Sequence, residues 1–325
     1  MKNIKIKPYH PNHQNDWNNF VAKAKNATFL FNRSFMDYHQ DRFEDASILG
    51  FEEDKLLAIF PASRVGDTVF SHQGLSYGGL VNNNQMKLHN YLSLLQNVLD
   101  YYKSININKL LVKQIPSFYC QQFSDEWAYA AFLLNAKYSR VDTSAVLDLK
   151  VPLNYSKDRN EGVKRGIKCQ LNVMEVDDLT DFWQNILIPN LQNRHQVMPV
   201  HRLEEITHLK VKFPNQIRQF NVYHQNKIVA GTTIFETDLV AHSQYMSAND
   251  ERSTLGSLDF LHNYLFKKVF MNKKYFDFGI SNENNGFYLN QGLNYWKQSF
   301  GANICANFVH EIDLTQKINL IEALI

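Results

Sequence analysis

Apolar residues recur along the chain with two periods, one typical of helices and the other of strands. In the segment 85–103, leucine, valine and tyrosine return every three or four residues, which places them on one face of a helix. Similar reasoning predicts helices at 16–25, 29–43, 126–136, 179–191, 201–212 and 256–271. Alternation, or short apolar runs between turn residues, predicts strands at 4–8, 46–51, 55–62, 68–80, 109–115, 144–151, 171–176, 217–224, 227–236, 239–247 and 275–280.

The order of these elements is similar in the two halves of the chain. Each half reads as strand, helices, antiparallel meander, helix and strand, although the halves share no residue-level identity. This order predicts an α+β fold of two units, each with a mixed, mostly antiparallel sheet flanked by helices. Because Val151-Pro152 closes the first half, we expect the units to span 1–152 and 153–325.

Composition excludes several classes of protein. The chain has 325 residues, 44% of them hydrophobic, so it can bury a sizeable core, and its formal net charge of +2 provides no broad basic field for nucleic acid. The three cysteines are too widely spaced for a zinc ribbon or a disulfide framework, and we expect no bound metal. Residues 1–7 alternate like a strand rather than a signal peptide, and no apolar run approaches the roughly 20 residues of a membrane span. We therefore expect a soluble, cytoplasmic protein.

The segment 249–301 carries the densest candidate chemistry. Its first loop, 249–256, precedes a predicted helix, and the free N–H groups at a helix start bind phosphate. The alternative is an ordinary helix cap made by a serine or threonine. The predicted phosphate ligands are Arg252, Ser253, Thr254 and Gly256, together with Lys297, which otherwise contacts the acceptor or is a solvated lysine.

This stretch resembles the C-terminal half of the GNAT-like acyltransferases related to the Fem-type aminoacyl transferases. The resemblance rests on Phe276-Asp277-Phe278-Gly279, on the later Lys297-x-x-Phe300-Gly301, and on the segments 26–31, 74–80 and 197–205. It covers most of the chain and implies two tandem GNAT-like units. It also implies that the first unit is the acceptor side and the second the acyl-donor side.

The resemblance implies an N-acyltransferase that moves an acyl group, acetyl in the first instance, from a coenzyme A thioester to an amine. Acetyl-CoA would be a co-substrate rather than a permanently bound cofactor. The implied acceptor is a small-molecule amine, such as a nucleotide-linked amino sugar in surface polysaccharide or cell-wall synthesis. The loop 249–256 would receive the pyrophosphate, but it contains a single glycine, and Asp250 and Glu251 would repel the ligand. An aminoacyl-tRNA donor and a non-catalytic binding protein therefore stay open as alternatives.

Amine acylation needs a base for the ammonium proton and a donor for the leaving group. His201 is the side chain best matched to proton transfer near neutral pH, and Glu204 follows it at helical spacing and could orient the ring. Asp277 points away from its phenylalanine neighbours in the predicted strand, and Tyr245 on the preceding strand is a proton donor. The structural alternatives are acids that favour a helix start, and an aspartate that caps the loop after Gly279.

The remaining candidates are polar side chains that could hold the acceptor. The resemblance assigns this task to the first half. A basic run between the halves, Lys157 to Lys168, either binds a phosphate or is a solvated face. The predicted substrate-binding residues are Arg33, Tyr77 and Lys113 in the first half, Lys164 and Arg165 in the basic run, and Arg194, Gln244 and Ser281 in the second half.

Overall fold

The computed structural model describes residues 4–325, apart from the side chains of Arg194 and His195, and it divides into two compact units. Unit 1 comprises Met1–Asp142 and Ala306–Ile325, and unit 2 comprises Thr143–Cys305. Within residues 4–325, none of the helices combines the length and the apolar character needed to cross a membrane.

The division differs from the expected 152/153 boundary. The chain enters unit 2 in the middle of one strand, because residues 144–148 pair with a strand of unit 2. It returns to unit 1 in the middle of the last strand, because residues 309–313 pair with a strand of unit 1. A boundary inside a strand leaves no break in composition that sequence analysis could detect.

Unit 1 packs two small sheets and the long helix Leu88–Ser104 around one core, in which Leu95, Val98, Leu99 and Tyr102 are fully buried. The strands that lie wholly within unit 1 are β1 (Ile4–Pro8), β2 (Glu44–Asp45), β3 (Ile48–Glu52), β4 (Lys55–Phe60), β5 (Ser63–Val65), β6 (Thr68–Phe70), β7 (Val81–Asn82) and β8 (Lys109–Lys113). Its helices are α1 (Gln14–Val21), α2 (Arg33–Met36), α3 (Leu88–Ser104) and α4 (Glu126–Leu133).

The first sheet of unit 1 has the order β1-β3-β4-β7 and is antiparallel. The second contains β8-β6-β5-β2, in which only β6 and β8 run parallel. The predicted helix 29–43 is instead the short α2 between two 3₁₀ turns, Phe29–Phe31 and Asp37–His39. The side chain of Thr28 caps the first of these turns, and the side chain of Asn32 caps α2. No continuous helix forms, because the backbone of Asn32 is extended.

Unit 2 is a single sheet with helices on its faces. Its strands are β9 (Lys137–Asp148), which begins in unit 1, β10 (Asn172–Val176), β11 (Ile217–His224), β12 (Lys227–Glu236), β13 (Val240–Ala248), β14 (Tyr275–Ile280), β15 (Asn282–Glu283) and β16 (Tyr288–Leu289). Its helices are α5 (Lys157–Lys168), α6 (Thr180–Phe182), α7 (Ile188–His195), α8 (Leu203–Lys212), α9 (Arg252–Leu255), α10 (Ser257–Tyr264) and α11 (Gln291–Gln298). Strand β17 (Asn303–Asp313) then carries the chain back into unit 1.

The sheet of unit 2 has the order β10-β11-β12-β13-β14-β9, and β15 with β16 forms a separate small hairpin. All pairs in the sheet are antiparallel except β13 with β14. These two parallel strands pair over three residues only and then separate. We call their last paired residues, His242 of β13 and Asp277 of β14, the strand fork. Opening a sheet between two strands creates room for a ligand inside the domain.

One helix crossing in unit 2 depends on glycine. Helix α10 packs closely on α5, and a Cβ atom added to Gly256 would lie 2.1 Å from the carbonyl oxygen of Gly162. Gly256 has φ +65°, so it interrupts the predicted helix 256–271 and separates α9 from α10. A π-helical turn, Leu265–Val269, follows α10. Glycine is therefore required both for the kink and for the close approach.

Candidate active site

A cavity of about 730 Å³ opens in unit 2 beside the end of β13 that lies beyond the strand fork. Residues 246–248 of β13 form one wall, and helices α5, α7, α9, α10 and α11 contribute most of the remaining lining. Its apolar lining includes Leu187, Leu191, Leu258, Leu293 and Trp296. Its polar lining consists of Arg159, Arg165, Asn190, Ser247, Arg252, Ser253, Asp259, Glu283 and Asn290.

The cavity lining carries three arginines and two carboxylates, Asp259 and Glu283, so its net positive charge favours an anionic ligand. Asp259 is buried and accepts hydrogen bonds from Arg159 Nη1 at 2.5 Å and from the indole Nε1 of Trp296 at 2.8 Å. Burial raises the pKa of Asp259, while the neighbouring Arg159 acts in the opposite direction. Asp259 thus neutralises one arginine, and Arg165 and Arg252 are exposed at the same cavity. Arginine is well suited to phosphate because its planar guanidinium can donate two parallel hydrogen bonds.

The predicted phosphate loop is only partly at this cavity. Arg252 and Ser253 line it, and Thr254 is exposed on the same short helix. Gly256 differs from the expectation, because it is buried against the carbonyl of Gly162 and its own N–H donates to Arg252 O. Gly256 therefore shapes the helix crossing. The side chains of the arginines, rather than a glycine-rich backbone loop, provide the positive charge.

Tyr245 and His201, two of the predicted catalytic residues, are in contact. Nδ1 of His201 lies 2.6 Å from the hydroxyl of Tyr245, and the backbone N–H of His201 donates to the same oxygen at 3.2 Å. Burial raises the pKa of Tyr245 to about 12, so the hydroxyl is protonated near neutral pH and can donate. Glu204, in contrast, is exposed on the first turn of α8, where an acid favours the helix start.

A β-bulge in β13 determines which side chains share a face of the sheet. Thr233 of β12 pairs with Tyr245 and the next residue, Ile234, pairs with Ser243, so Gln244 is the extra residue of β13. Because one residue is added, His242 and Tyr245 come to lie on the same face, although three positions separate them. The predicted substrate ligand Gln244 is therefore the bulge residue itself.

Polar side chains follow this face of β13 from the strand fork to the cavity. The ring of His201 lies near Tyr245 and also near Phe235, whose Cα partner in the sheet is His242. Further along, Ser247 Oγ accepts a hydrogen bond from Asn190 at 2.7 Å, and both residues line the cavity. These polar side chains form a row along β13, from His242 through Tyr245 to Ser247. The row is suited to contact a ligand that binds along the strand.

Asp277 is buried at the strand fork and is fully engaged in hydrogen bonds. Its Oδ1 accepts from the N–H of Gly279 at 2.7 Å, as a loop cap would, and its Oδ2 lies 2.9 Å from Nδ1 of His242. His242 was not among the residues singled out from the sequence. On β13 it lies opposite Phe235 of β12 and beside Asp277 of β14. This position could have indicated a role for His242, but it becomes known only with the parallel register of β13 and β14.

Lys297 and Ser281 lie just beyond the strand fork. Lys297 is almost fully buried, and its ammonium donates to the carbonyl oxygens of Gly279 and Ile280 at 3.0 and 2.7 Å. Burial lowers the pKa of Lys297 to about 8, while the charge of Asp277 acts to raise it. Ser281 is also buried. Lys297 thus holds the last residues of β14, and it does not belong to the polar lining of the cavity.

Three predicted substrate ligands lie in unit 1, whereas the cavity is lined by residues of unit 2. Arg33 is buried and forms ion pairs with Asp37 and Asp45. Tyr77 is buried, and its hydroxyl lies 2.9 Å from that of Thr28. Burial lowers the pKa of Lys113 to about 8. Each of these residues has a structural environment within unit 1.

The basic residues of α5 lie in different surroundings. Arg165 lines the cavity, but Lys164 is exposed and forms an ion pair with Glu161 at 2.8 Å. The side chain of Arg194 lies outside the part of the chain that the structure describes, so its predicted role stays a prediction. Within residues 4–325, no group of three or more histidine, cysteine and acidic side chains is arranged to hold a metal ion.

Comparison with solved structures relates this fold to known ones. The chain is similar to the crystal structure of FemX, with a TM-score of 0.67 and 10% identity over 94% of this chain and 96% of that one. It is similar to the C-terminal domain of a putative lysylphosphatidylglycerol synthetase from Agrobacterium fabrum, with a TM-score of 0.61 and 13% identity over 96% and 94% of the two chains. A tandem GNAT protein from the clavulanic acid biosynthesis pathway gives 0.53 and 11% over 97% and 100%.

These likenesses confirm the α+β class and the tandem GNAT-like fold that the sequence resemblance implied. No family model matches the chain, and no curated protein matches it either. The low identities mean that the fold is shared while most side chains are not. The chemistry must therefore be argued from the residues of this chain.

Proposed function

We propose that the protein is an N-acyltransferase that binds an activated acyl donor in the cavity of unit 2 and transfers the acyl group to an amine. The observation that carries the proposal is the cavity beside the separated strands β13 and β14, with two exposed arginines and a third held by Asp259. Acyl donors in biology commonly carry phosphate groups at the far end of the molecule from the acyl group. An arginine-lined cavity is suited to the phosphates of such a ligand, and the gap between β13 and β14 is suited to its acyl group.

The donor we propose first is a coenzyme A thioester, with acetyl-CoA as its simplest member. Its phosphates would be held by Arg252 and Arg165, and its acyl end would lie along β13 towards the strand fork. Backbone N–H groups on the edge of β13 that no longer faces β14 are suited to polarise the acyl carbonyl. The hydroxyl of Tyr245, which stays protonated, is suited to protonate the departing thiolate.

The acceptor would be a small-molecule amine. A nucleotide-linked amino sugar used in surface polysaccharide or cell-wall synthesis is the class that the sequence resemblance implies. The reaction is direct attack of the amine on the acyl carbon within a ternary complex. No covalent intermediate with the enzyme is needed, because the donor is already activated.

A second candidate donor is an aminoacyl-tRNA. The observation that favours it is the burial of Gly256 beneath Gly162, which removes the only glycine of the loop expected to cradle a pyrophosphate. The similarity to FemX and to a protein described as a putative lysylphosphatidylglycerol synthetase supports an aminoacyl group as the group that is transferred. The amine attack and the role of Tyr245 would be unchanged, since an ester replaces the thioester.

The first test is calorimetric titration of the purified protein with acetyl-CoA and with free coenzyme A. We expect micromolar binding that weakens at least tenfold in Arg252→Glu, because the substitution places a carboxylate where a phosphate must bind. The matched control is Lys212→Glu, the same charge reversal at an exposed lysine of α8 outside the cavity lining. It should bind like the wild type.

The second test follows transfer to a panel of amines, including nucleotide-linked amino sugars, by mass spectrometry. If neither ligand binds the folded protein, the coenzyme A donor is refuted, and the same panel is repeated with aminoacylated tRNA. Binding without transfer from either donor would instead support a non-catalytic binding protein on this fold.

A further inference from the structure

The strand fork contains a histidine and an aspartate arranged as a proton-accepting pair. Nδ1 of His242 lies 2.9 Å from Oδ2 of Asp277, and the side chain of Asp277 is 4% exposed while that of His242 is 18% exposed. The other carboxylate oxygen of Asp277 is held by the N–H of Gly279. The carboxylate is thus fixed on one side by backbone and presents its second oxygen to the ring.

This contact determines the tautomer of His242. A carboxylate oxygen accepts a hydrogen bond, so Nδ1 carries the proton and Nε2 carries the lone pair of the neutral ring. Among the described residues Nε2 has no hydrogen-bond partner, and it is not one of the buried polar atoms. A partly exposed imidazole whose Nε2 is unprotonated is suited to accept a proton from a bound ligand.

The position of the pair fits the end of a ligand bound along β13. The strands separate immediately after this pair, and the arginine-lined cavity lies about 15 Å further along β13 at residues 246–248, judged from the rise of a strand. Because of the bulge at Gln244, His242 and Tyr245 lie on one face. A donor with its phosphates at the cavity and its acyl group at Tyr245 would have His242 next in the row.

We infer that His242 is the general base of the acyl transfer and that Asp277 positions it. This inference rests on the proposed function. The ammonium of the acceptor gives one proton to Nε2 of His242. The neutral nitrogen attacks the acyl carbon, so a C–N bond forms and the C–S bond of a thioester, or the C–O bond of an aminoacyl ester, breaks.

The remaining proton transfers close the reaction. Tyr245 donates its hydroxyl proton to the leaving sulfur or oxygen and recovers a proton from the attacking nitrogen, which becomes the amide. His242 then releases its proton to solvent. The sum is one acyl donor and one ammonium giving one amide, one thiol or alcohol, and one proton, with no oxidant or reductant required.

The surrounding charges are those that a base requires. Asp277 stabilises the imidazolium after proton transfer, and Lys297, whose ammonium is bonded to the carbonyls of Gly279 and Ile280, acts on the same carboxylate. Cys305 also lies within the electrostatic reach of Asp277. Further along the same face of β13, Tyr245 and the His201 that contacts it are also titratable groups.

The first measurement needs no substrate. Nitrogen-15 NMR of the histidine side chains should show His242 protonated at Nδ1 in the wild type. In Asp277→Asn the amide can turn its N–H₂ towards the ring, so the proton should move to Nε2. A wild-type His242 protonated at Nε2 would overturn the inference, whatever the enzyme transfers.

The second measurement uses whichever donor the wild type accepts. In His242→Gln we expect kcat to fall at least 100-fold, with the Kd of the donor within twofold of the wild type and with loss of the acid limb of the plot of log kcat against pH. Asp277→Asn should show the same loss with a folded protein, as judged by its thermal transition. His208→Gln, at an exposed histidine of α8, is the matched control and should keep the wild-type rate and profile.

Two outcomes separate the inference from the proposed function. A wild-type protein that transfers no acyl group from either donor refutes the proposed function, and the base assignment falls with it. A wild-type protein that transfers, with His242→Gln keeping its rate or with His201→Gln removing the acid limb instead, refutes only the assignment of His242.

Discussion

Burial separates the histidines of unit 2 into different chemical roles. His262 is fully buried among Phe266, Phe278, Trp296 and Phe300, and its Nδ1 lies 2.8 Å from Leu258 O. Its ring stacks on that of Phe278 with the planes 27° apart. His262 therefore serves as a neutral, aromatic member of the core, whereas the side chain of His242 is partly exposed at the strand fork.

His262 should make the stability of the protein depend on pH. Burial lowers its pKa to about 4, from 6.5 in the unfolded chain, so below pH 6.5 the unfolded state binds more protons than the folded state. The free energy of unfolding should therefore be unaffected by His262 above pH 6.5 and should decrease by about 3 kcal/mol as the pH falls to about 4.

This pH dependence is measured by urea denaturation between pH 4 and pH 7.5. His262→Phe keeps an aromatic ring in the core without a titrating group, so its curve should lack the part of the acid loss that His262 causes. His208→Gln should lose stability with acid as the wild type does. An equally steep acid loss in His262→Phe would contradict the prediction.

At the residue scale the sequence indicated chemistry better than geometry. Tyr245, His201 and Asp277 were recognised because their side chains suit proton transfer, and the structure brings Tyr245 and His201 together. Pairing of Asp277 with His242 was not foreseeable, because it depends on a parallel register between strands with a helix between them in the chain. Whether these residues catalyse a reaction stays a prediction.

At the scale of elements, the crossing of α5 and α10 fixes one wall of the cavity. Arg159 and Arg165 belong to α5, Asp259 belongs to α10, and all three line the cavity. The two helices can approach because Gly162 and Gly256 lack side chains where their backbones meet. The spacing of the helices therefore controls how Asp259 reaches Arg159.

Gly256→Ala should destabilise this crossing. The added methyl group would lie 2.1 Å from the carbonyl oxygen of Gly162, and alanine is strained at φ +65°. We expect a loss of about 2 to 4 kcal/mol, measured by urea denaturation, together with faster hydrogen exchange in α5 and α10. Gly66→Ala separates the two causes, because Gly66 has φ +60° with open space around it and should lose only about 1 kcal/mol. Equal losses in both variants would show that the crossing is not tight.

The elements themselves were predicted unevenly. The strands 217–224 and 227–236 agree with β11 and β12, because alternating or continuous apolar residues bounded by turns specify them locally. The bulge at Gln244, the π-helical turns and the kink at Gly256 were not predicted, since each is stabilised by neighbours distant in sequence. The π-helical turn Trp183–Leu187 contributes Leu187 to the cavity lining, and the kink at Gly256 separates α9 from α10, which both line the cavity.

At the scale of the whole molecule, unit 1 depends on the end of the chain. Leu314 and Leu320 are buried in its core, and the N–H of Leu320 donates to the side chain of Gln96 on α3 at 2.8 Å. Strand β17 pairs with β8 over residues 309–313. The last residues of the chain are therefore part of the structure of unit 1.

Truncation after Asp313 should destabilise unit 1 selectively. Removing two buried leucines should cost about 4 kcal/mol or more, so hydrogen exchange should accelerate in α3 and β8. Strand β12 in unit 2 should keep its protection. Truncation after Ala323 removes only the exposed Leu324 and Ile325 and should leave exchange unchanged. Uniform loss of protection in both units would contradict the division described here.

The return of the chain also sets an order of events during synthesis. A ribosome releases residues 143–305 before residues 306–325, so unit 2 has its complete sequence while unit 1 still lacks a strand and part of its core. The partner strands β8 and β17 are separated by almost 200 residues, which makes their pairing a late, long-range event. The unit that emerges first is therefore the last to be finished, and nascent chains stalled before β17 would carry an incomplete unit 1 beside a unit 2 that is ready to fold.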